Sequence, residues 1–352
     1  MLVELKNNLV EGCPSTEDFL KSEGLSFQFV SYTNNAVYII TSHVSDKQIG
    51  FLKSLPTVQR VTQINTSYQL ASKQWKNRNT VVKVGDLEIG GEYPVLIAGP
   101  CAVESEEQLY EIASFLSKNG IRFLRGGAYK PRTSPYSFQG LKKNGLELLR
   151  KVANEFDMMV VTEVLDYSLL DEALEYADVL QVGTRNMHNY QFLKGLGKTN
   201  KPVMLKRGFS ATIEEWLLAA EHILLGGNEN VILCERGIRT FEKATRNTLD
   251  LSAVALVKEL SHLPVIVDPS QGTGLSNLIS PMSLAAMAAG SNGLMIETHN
   301  DPDNALSDGE QSVNFRQFEE LLHRLRKYSH LYNTPFDFDL KGLNLPSDKA
   351  KY

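Results

Sequence analysis

The sequence predicts an α/β protein: a (β/α)8 TIM-type barrel preceded by a small ferredoxin-like (βαββαβ) module. Three observations carry this prediction. Eight apolar runs rich in Val, Ile and Leu recur between residues 95 and 297, roughly every 20–40 residues, with helix-like segments between them. Residues 1–65 instead read strand, helix, strand, strand, helix, strand. Between the two lies a polar stretch, residues 66–93, that contains one hairpin-like segment.

In the N-terminal module, MLVEL reads as a strand and Ser15–Gly24 as a short helix carrying Phe19 and Leu20. SFQFVSY and AVYIITS alternate about the Thr33-Asn34-Asn35 turn, the pattern of a hairpin. Asp46–Leu55 is a second helix and VQRVTQI a last strand. Modules of this shape serve regulation, or packing and dimerisation, and the sequence is consistent with either. In residues 66–93, VVKVGDLEIGG predicts a short hairpin turning at Gly85-Asp86. The barrel spans residues 94–332. Its runs are VLIAG (95–99), IRFLR (121–125), MMVVTE (158–163), DVLQV (178–182), PVMLK (202–206), NVILC (230–234), LPVIV (263–267) and GLMIE (293–297). Glu104–Lys118, Asn144–Phe156, Ile213–Leu225 and Met282–Ala289 are among the amphipathic stretches between them. An open, doubly wound sheet also alternates strands with helices, but eight units favour closure. Residues 333–352, with Pro335, Gly342 and Pro346 among charges, read as an extended or mobile tail.

Composition narrows the function. The net charge is −5, from 36 basic and 41 acidic residues, with no basic run to suit a nucleic acid. No apolar stretch approaches a membrane span, and the N-terminus shows no secretory pattern. Cys13, Cys101 and Cys234 are widely scattered, which argues against a disulfide framework and for a reducing, cytoplasmic setting.

Barrel active sites lie where the strands run out at their C-terminal ends, and here those ends are charged. The first run leads into Gly99-Pro100-Cys101, and the second ends at Arg125, with Lys130 and Arg132 close behind. The third ends at Glu163, and Arg185 follows the fourth. The fifth ends at Lys206-Arg207 and the sixth leads into Glu235-Arg236. The last two end at Asp268 and Glu297. Scattered salt bridges explain charge at some ends, not at nearly all. Gathering so many cations at one mouth is costly unless an anion compensates. Arg125, Lys130, Arg185, Lys206 and Arg236 are therefore the candidate cage for a multiply charged carboxylate or phosphate ligand.

A second group is metal-like. Cys101, Glu297 and Asp308 are distant in sequence but stand on strand-end loops that a barrel brings together. A thiolate with carboxylates suits a borderline divalent ion. Histidine commonly completes such a site, and His299 and His188 are nearby candidates that can equally be hydrogen-bonded loop residues.

IAGPCAVES, LRGGAYKPRTSPYSFQGL, VVTEV, VGTRN, LKRGF, ILCERGIRTFEKATRNTLD, VDPSQGTG and ETHNDPDNALSDGEQS together resemble type I 3-deoxy-7-phosphoheptulonate (DAHP) synthases. The chain looks most like the subgroup with an N-terminal ferredoxin-like extension. The resemblance covers roughly residues 80–330. It implies condensation of phosphoenolpyruvate with erythrose 4-phosphate, releasing phosphate, at the entry to aromatic amino acid synthesis. It implies that Arg125, Lys130, Arg185, Lys206 and Arg236 hold phosphoenolpyruvate, with Asp268 also in the substrate site. Arg132 and Thr133 match the segment that meets the sugar phosphate. Cys101, Glu297 and Asp308 match ligands of a divalent metal such as manganese, iron or zinc. Glu163 matches an active-site glutamate, and Lys130 is placed for proton transfer at the aldehyde oxygen. A homo-oligomer, tetramer or dimer, is also implied.

One position departs from the pattern. After Asp-Pro-Ser the family carries a metal-ligating histidine, and this chain has Gln271. A neutral amide oxygen is a weaker ligand than imidazole for first-row transition metals. The following Gly-Thr-Gly-Leu-Ser-Asn also lacks an expected basic pair. Other readings are a paralogue using another phosphorylated aldose, a non-catalytic phosphoenolpyruvate-binding protein, and an aldolase with Lys206 as Schiff-base lysine. The related 3-deoxyoctulosonate 8-phosphate synthases share the cage, and Lys130-Pro-Arg-Thr favours the seven-carbon product over theirs.

Overall fold

The structure, a computed structural model, describes residues 1–6, 9, 11–131, 134–332 and 334–339. Arg132, Thr133 and the tail from residue 340, with Gly342 and Pro346, lie outside the described residues.

The N-terminal module is a four-stranded antiparallel sheet: β1 (Leu2–Leu5), β2 (Phe27–Ser31), β3 (Ala36–Ile40) and β4 (Val58–Thr62), in the spatial order β2-β3-β1-β4. Helices Pro14–Ser22 and Asp46–Ser54 join the strands. The second is fixed by a capping box in which Ser45 and Gln48 satisfy each other's backbone N–H groups. β3 is buried on both faces, and the alternation of the strand decides what each face meets. Val3, Leu5, Tyr38 and Ile40 pack with Leu20 and Leu52 of the module's own helices. Leu2, Val37 and Ile39, with Val30 and Tyr32, join the apolar layer of the barrel helices. The Tyr32 hydroxyl donates to the Leu224 carbonyl at 3.1 Å.

The polar stretch between module and barrel is firmly held. Buried Glu221 accepts the N–H groups of Gln69, Leu70 and Ala71 at 3.0, 2.7 and 2.9 Å. Trp75 is buried beside Tyr32 and His262. Next comes the hairpin β5 (Val82–Val84) and β6 (Leu87–Ile89), turning at Gly85 and Asp86, with Gly85 at φ +61°. Its Val82, Val84 and Ile89 close the floor of the barrel, packed on Val95, Ile97 and Phe123.

The barrel strands are β7 (Val95–Gly99), β8 (Phe123–Arg125), β9 (Met159–Val164), β10 (Val179–Val182), β11 (Val203–Lys206), β12 (Val231–Glu235), β13 (Val265–Val267) and β14 (Gly293–Glu297). All neighbours are parallel, and β14 pairs with β7 to close the ring. Alternate residues divide between two cores. Ile97, Phe123, Val161, Met204, Ile232 and Met295 point inward, while Leu96, Leu124, Val160, Leu205, Leu233 and Ile296 face the helices. The helix expected from Met282 begins earlier, at Ser276, and passes through Pro281.

The expected extended tail is packed over residues 334–339. Phe336 and Phe338 are buried, and the Asp337 N–H donates to the Pro94 carbonyl at 3.2 Å. Burial pushes the Asp337 carboxyl up to about 7, against the pull of the Phe338 and Leu96 N–H groups and Arg122. An acid whose folded pKa exceeds its unfolded value adds stability below the unfolded value, and loses it as pH rises through the folded one. For Asp337 that window runs from 3.8 to about 7. Asp337→Asn is therefore expected to melt higher than wild type at pH 8 and to match it near pH 4. The gap is at most about 4 kcal/mol, at about 1.4 kcal/mol per pH unit. Thermal melts at the two pH values check this.

Candidate active site

The strand period builds the site. Phe123, Val161, Met204, Cys234, Ile266 and Met295 fill the barrel interior. Side chains two residues apart share a face of a strand, so Arg125, Glu163, Lys206, Arg236, Asp268 and Glu297 follow them inward at the C-terminal mouth. Glycine makes room among them. A Cβ on Gly183 would stand 2.0 Å from Glu163 Oε1, and one on Gly127 would stand 3.0 Å from Lys130 Nζ.

The charges at the mouth fall into two sets. In the first, cations are already matched by carboxylates from another strand end. Arg125 Nη1 lies 2.7 Å from Glu297 Oε1, and Lys206 Nζ 2.7 Å from Asp268 Oδ2, all four side chains buried. Arg207 pairs with Glu235 and Asp250, both at 2.9 Å, so it is a structural ion pair below the mouth loops. The second set is open. Among the described residues, no ion pair engages Arg185 or Arg236. Burial pulls the Arg236 pKa below the usual guanidinium value, with Asp268 opposing. Its Nη1 donates to the Gly237 carbonyl and its Nε to Gln271 Oε1, both at 3.3 Å. Lys130, Glu163, Arg185, Lys206, Arg236 and Gln271 line a single cleft with Arg246 and Asp308. Arg125, buried and paired with Glu297, is not among the residues that line this cleft.

A larger cavity of about 770 Å³ lies far from this mouth, where the module meets the floor of the barrel. Its Arg60 and Lys76 are matched by Glu4 and Glu229. It holds none of the strand-end charges.

Cys101, Glu297 and Asp308 come together as a potential metal-holding group, their donor atoms within 4.8 Å of one another. Burial, with Glu297 and Asp308 nearby, pushes the Cys101 thiol up to about 11. The thiol donates to Asp308 Oδ2 at 3.2 Å, and Lys130 Nζ lies 3.0 Å from its sulfur. Burial opposes the Glu297 charge, but Arg125 and Lys130 hold that carboxylate down to about 2. A thiol and two carboxylates, one strongly ionised, fit a borderline divalent cation, whose binding would expel the thiol proton.

The histidines do not join this group. His299 Nε2 contacts Gln108 at 2.9 Å, and its Nδ1 accepts the Asp301 N–H at 3.0 Å. His188 Nδ1 lies 3.4 Å from the Tyr190 hydroxyl. Gln271 stands on the short helix Pro269–Thr273 after β13, its N–H donated to the capping Asp268 carboxylate at 2.9 Å. Its side-chain oxygen faces Arg236.

Two residues of the site lie in quoted motifs but are not singled out by the sequence reading. Gln311 Nε2 donates to Glu297 Oε2 at 2.6 Å. Arg246 Nη1 lies 3.2 Å from Asp308 Oδ1 and also donates to Gln311 Oε1. Both come from long loops, where neither strand period nor position at a strand end marks them.

Comparison with known proteins agrees with this geometry. Residues 67–334 match the family described as DAHP synthetase I. A Thermotoga maritima protein named phospho-2-dehydro-3-deoxyheptonate aldolase is 52 % identical over 284 residues, covering 81 % of this chain and 83 % of the relative. A 2-dehydro-3-deoxyphosphooctonate aldolase of Francisella tularensis subsp. holarctica is 32 % identical over 275 residues, covering 71 % of this chain and 97 % of the relative. The crystal structure of the Thermotoga maritima DAHP synthase superposes with a TM-score of 0.77 at 45 % identity, covering 95 % of this chain and 98 % of that one. A truncated form of the Thermotoga maritima enzyme superposes at 0.72 with 48 % identity, covering 77 % of this chain and 99 % of that one. With four-fifths of its length aligned to such a relative and its barrel matched throughout, the chain belongs to the DAHP synthetase I family.

Proposed function

We propose that the mouth of this barrel condenses phosphoenolpyruvate with erythrose 4-phosphate and water, giving 3-deoxy-7-phosphoheptulonate and phosphate. The observation that carries the reading is the open pair Arg185, exposed, and Arg236, buried, lining one cleft with Lys130 and Lys206. A doubly charged phosphate and a carboxylate supply what those guanidinium forks lack. Lys206, steered by Asp268, contributes a point charge, and Arg125, paired with Glu297, adds its charge to the same mouth. The family resemblance assigns the sugar phosphate to Arg132 and Thr133.

In this reading C3 of phosphoenolpyruvate attacks the aldehyde carbon, forming the new carbon–carbon bond. The Lys130 ammonium gives a proton to the aldehyde oxygen as it becomes a hydroxyl. Water adds at C2, phosphate departs with the bridging oxygen, and a keto group is left at C2. Glu163, beside Lys130, is suited to return the proton. The cage balances the charge that moves onto phosphate. A divalent metal held by Cys101, Glu297 and Asp308 would supply Lewis-acid polarisation of a carbonyl oxygen. Gln271 is proposed as a weak fourth ligand. The ion pair of Lys206 with Asp268 commits its nitrogen as a donor, which disfavours the Schiff-base alternative.

Phosphate release from phosphoenolpyruvate tests the reading. Release is expected only with an aldose phosphate present and is expected to fall at least about 100-fold in Arg236→Gln. Release independent of any aldose would overturn it.

Residues 1–65 are proposed to regulate the barrel, and residues 94–332 to carry the chemistry. Deleting 1–65 is expected to keep condensation activity and abolish any inhibition by tyrosine or phenylalanine. Inhibition that persists in the truncated protein contradicts the regulatory role. The same reading includes a cytoplasmic homo-oligomer, consistent with three free cysteines and with Tyr136 and Phe241 almost fully exposed near the mouth.

A further inference from the structure

The open arginines of the mouth need something to hold them before an anion arrives. Among the described residues, Arg125 and Lys206 have carboxylate partners, whereas no ion pair engages Arg185, Arg236 or Arg239. Like charges gathered at one rim repel, and burying Arg236 adds desolvation. What the three share is one aromatic ring.

Phe209 stands three residues beyond Lys206, in the loop that leaves β11. The guanidinium carbons of Arg239, Arg236 and Arg185 lie 4.2, 5.1 and 5.7 Å from its ring centroid. Arg185 comes from the loop after β10, and Arg236 and Arg239 from the loop after β12, so the ring sits between the two flanking loops. The Arg239 N–H donates to the Phe209 carbonyl at 2.6 Å, tying the loops together. The ring is half-buried and lines the cleft. Its negative face attracts a cation without occupying the N–H groups at the guanidinium edge. A carboxylate in the same place would hold the arginines more tightly but would take the donors an incoming anion needs.

We propose that Phe209 is a positioning residue for substrate: its ring gathers Arg185, Arg236 and Arg239 without taking up their N–H groups, so that those of Arg185 and Arg239, and the Nη2 of Arg236 beyond its bonds to Gly237 and Gln271, face a phosphorylated anion. The proposal rests on the reading of this cleft as the phosphoenolpyruvate site. It accounts for an aromatic side chain among charges, where a residue of aliphatic character would fill the same space.

Calorimetric titration of phosphoenolpyruvate into the full chain, without aldose, tests it on wild type, Phe209→Leu, Phe209→Tyr and Arg236→Gln. Phe209→Leu keeps an apolar side chain and removes the quadrupole. It is expected to weaken binding about tenfold, equivalent to about 1.4 kcal/mol. In steady-state assays KM for phosphoenolpyruvate should rise about tenfold while kcat stays within about threefold. Phe209→Tyr restores the π face and should bind within about twofold of wild type. Thermal melts check the fold, and Phe209→Met provides the same comparison if the leucine variant melts early. A leucine variant that binds like wild type, or a tyrosine variant that fails to restore binding, overturns the role of the ring. Arg236→Gln separates the two levels. If it binds phosphoenolpyruvate like wild type, the reading of the cleft itself fails. If it loses binding while Phe209→Leu does not, only the inference about Phe209 fails.

Discussion

Replacing Lys130 with methionine is expected to lower kcat about 10³-fold, with the fold intact. Proton transfer by a placed side chain contributes about 10²–10⁴-fold, and this ammonium also stabilises developing charge. Lys130 Nζ is fixed 3.0 Å from both the Cys101 carbonyl oxygen and its sulfur. Burial pushes its pKa down, and Cys101 and Glu163 more than restore it, so the amine enters the cycle charged. Methionine keeps the length of the stem and the packing but removes the charge. Arginine should not rescue it, because a longer, planar guanidinium cannot place one nitrogen at the 3.0 Å contacts Nζ makes with the Cys101 carbonyl oxygen and sulfur. Steady-state rates at saturating substrates, with a thermal melt as control, check the prediction. A methionine variant within about tenfold of wild type contradicts a proton-transfer role.

Gln271→His is expected to tighten binding of manganese, iron or zinc by about 10–100-fold. The physical reason is the donor set. Cys101, Glu297 and Asp308 provide a thiol and two carboxylates, and an imidazole nitrogen is a stronger fourth ligand than an amide oxygen. The substitution also frees Arg236 from the amide oxygen it now faces at 3.3 Å. If ordinary condensation is the task of the protein, turnover at limiting metal should rise in the same variant. Competition against a chromophoric chelator measures affinity without reference to activity. Unchanged affinity in the histidine variant would show that this position does not serve the metal.

The barrel was legible because its two cores repeat. Runs such as VLIAG and GLMIE are buried on both faces, as parallel strands between a barrel interior and a ring of helices must be. The charged mouth was legible for the same reason, since Arg125, Lys206 and Glu297 each end such a run. What the sequence did not disclose is how these charges pair. Arg207 and Arg236 both follow strand ends, yet one is locked to Glu235 and the other is open to a ligand. That difference depends on which face each residue presents. The contributions of Phe209, Arg246 and Gln311 come from loops, whose paths no periodicity specifies. Burial of the module's outer face and of Phe336 was equally hidden, because an apolar residue in a short segment does not reveal which surface covers it.

The central claim is that this mouth joins a three-carbon enol phosphate to a four-carbon aldose phosphate. Mass analysis of the product formed from phosphoenolpyruvate, with erythrose 4-phosphate and arabinose 5-phosphate supplied in equal amounts, tests it most directly. The expected result is a seven-carbon 3-deoxy keto acid phosphate as the dominant product, with one phosphate released per molecule formed. A dominant eight-carbon product, or consumption of phosphoenolpyruvate without either product, would contradict it.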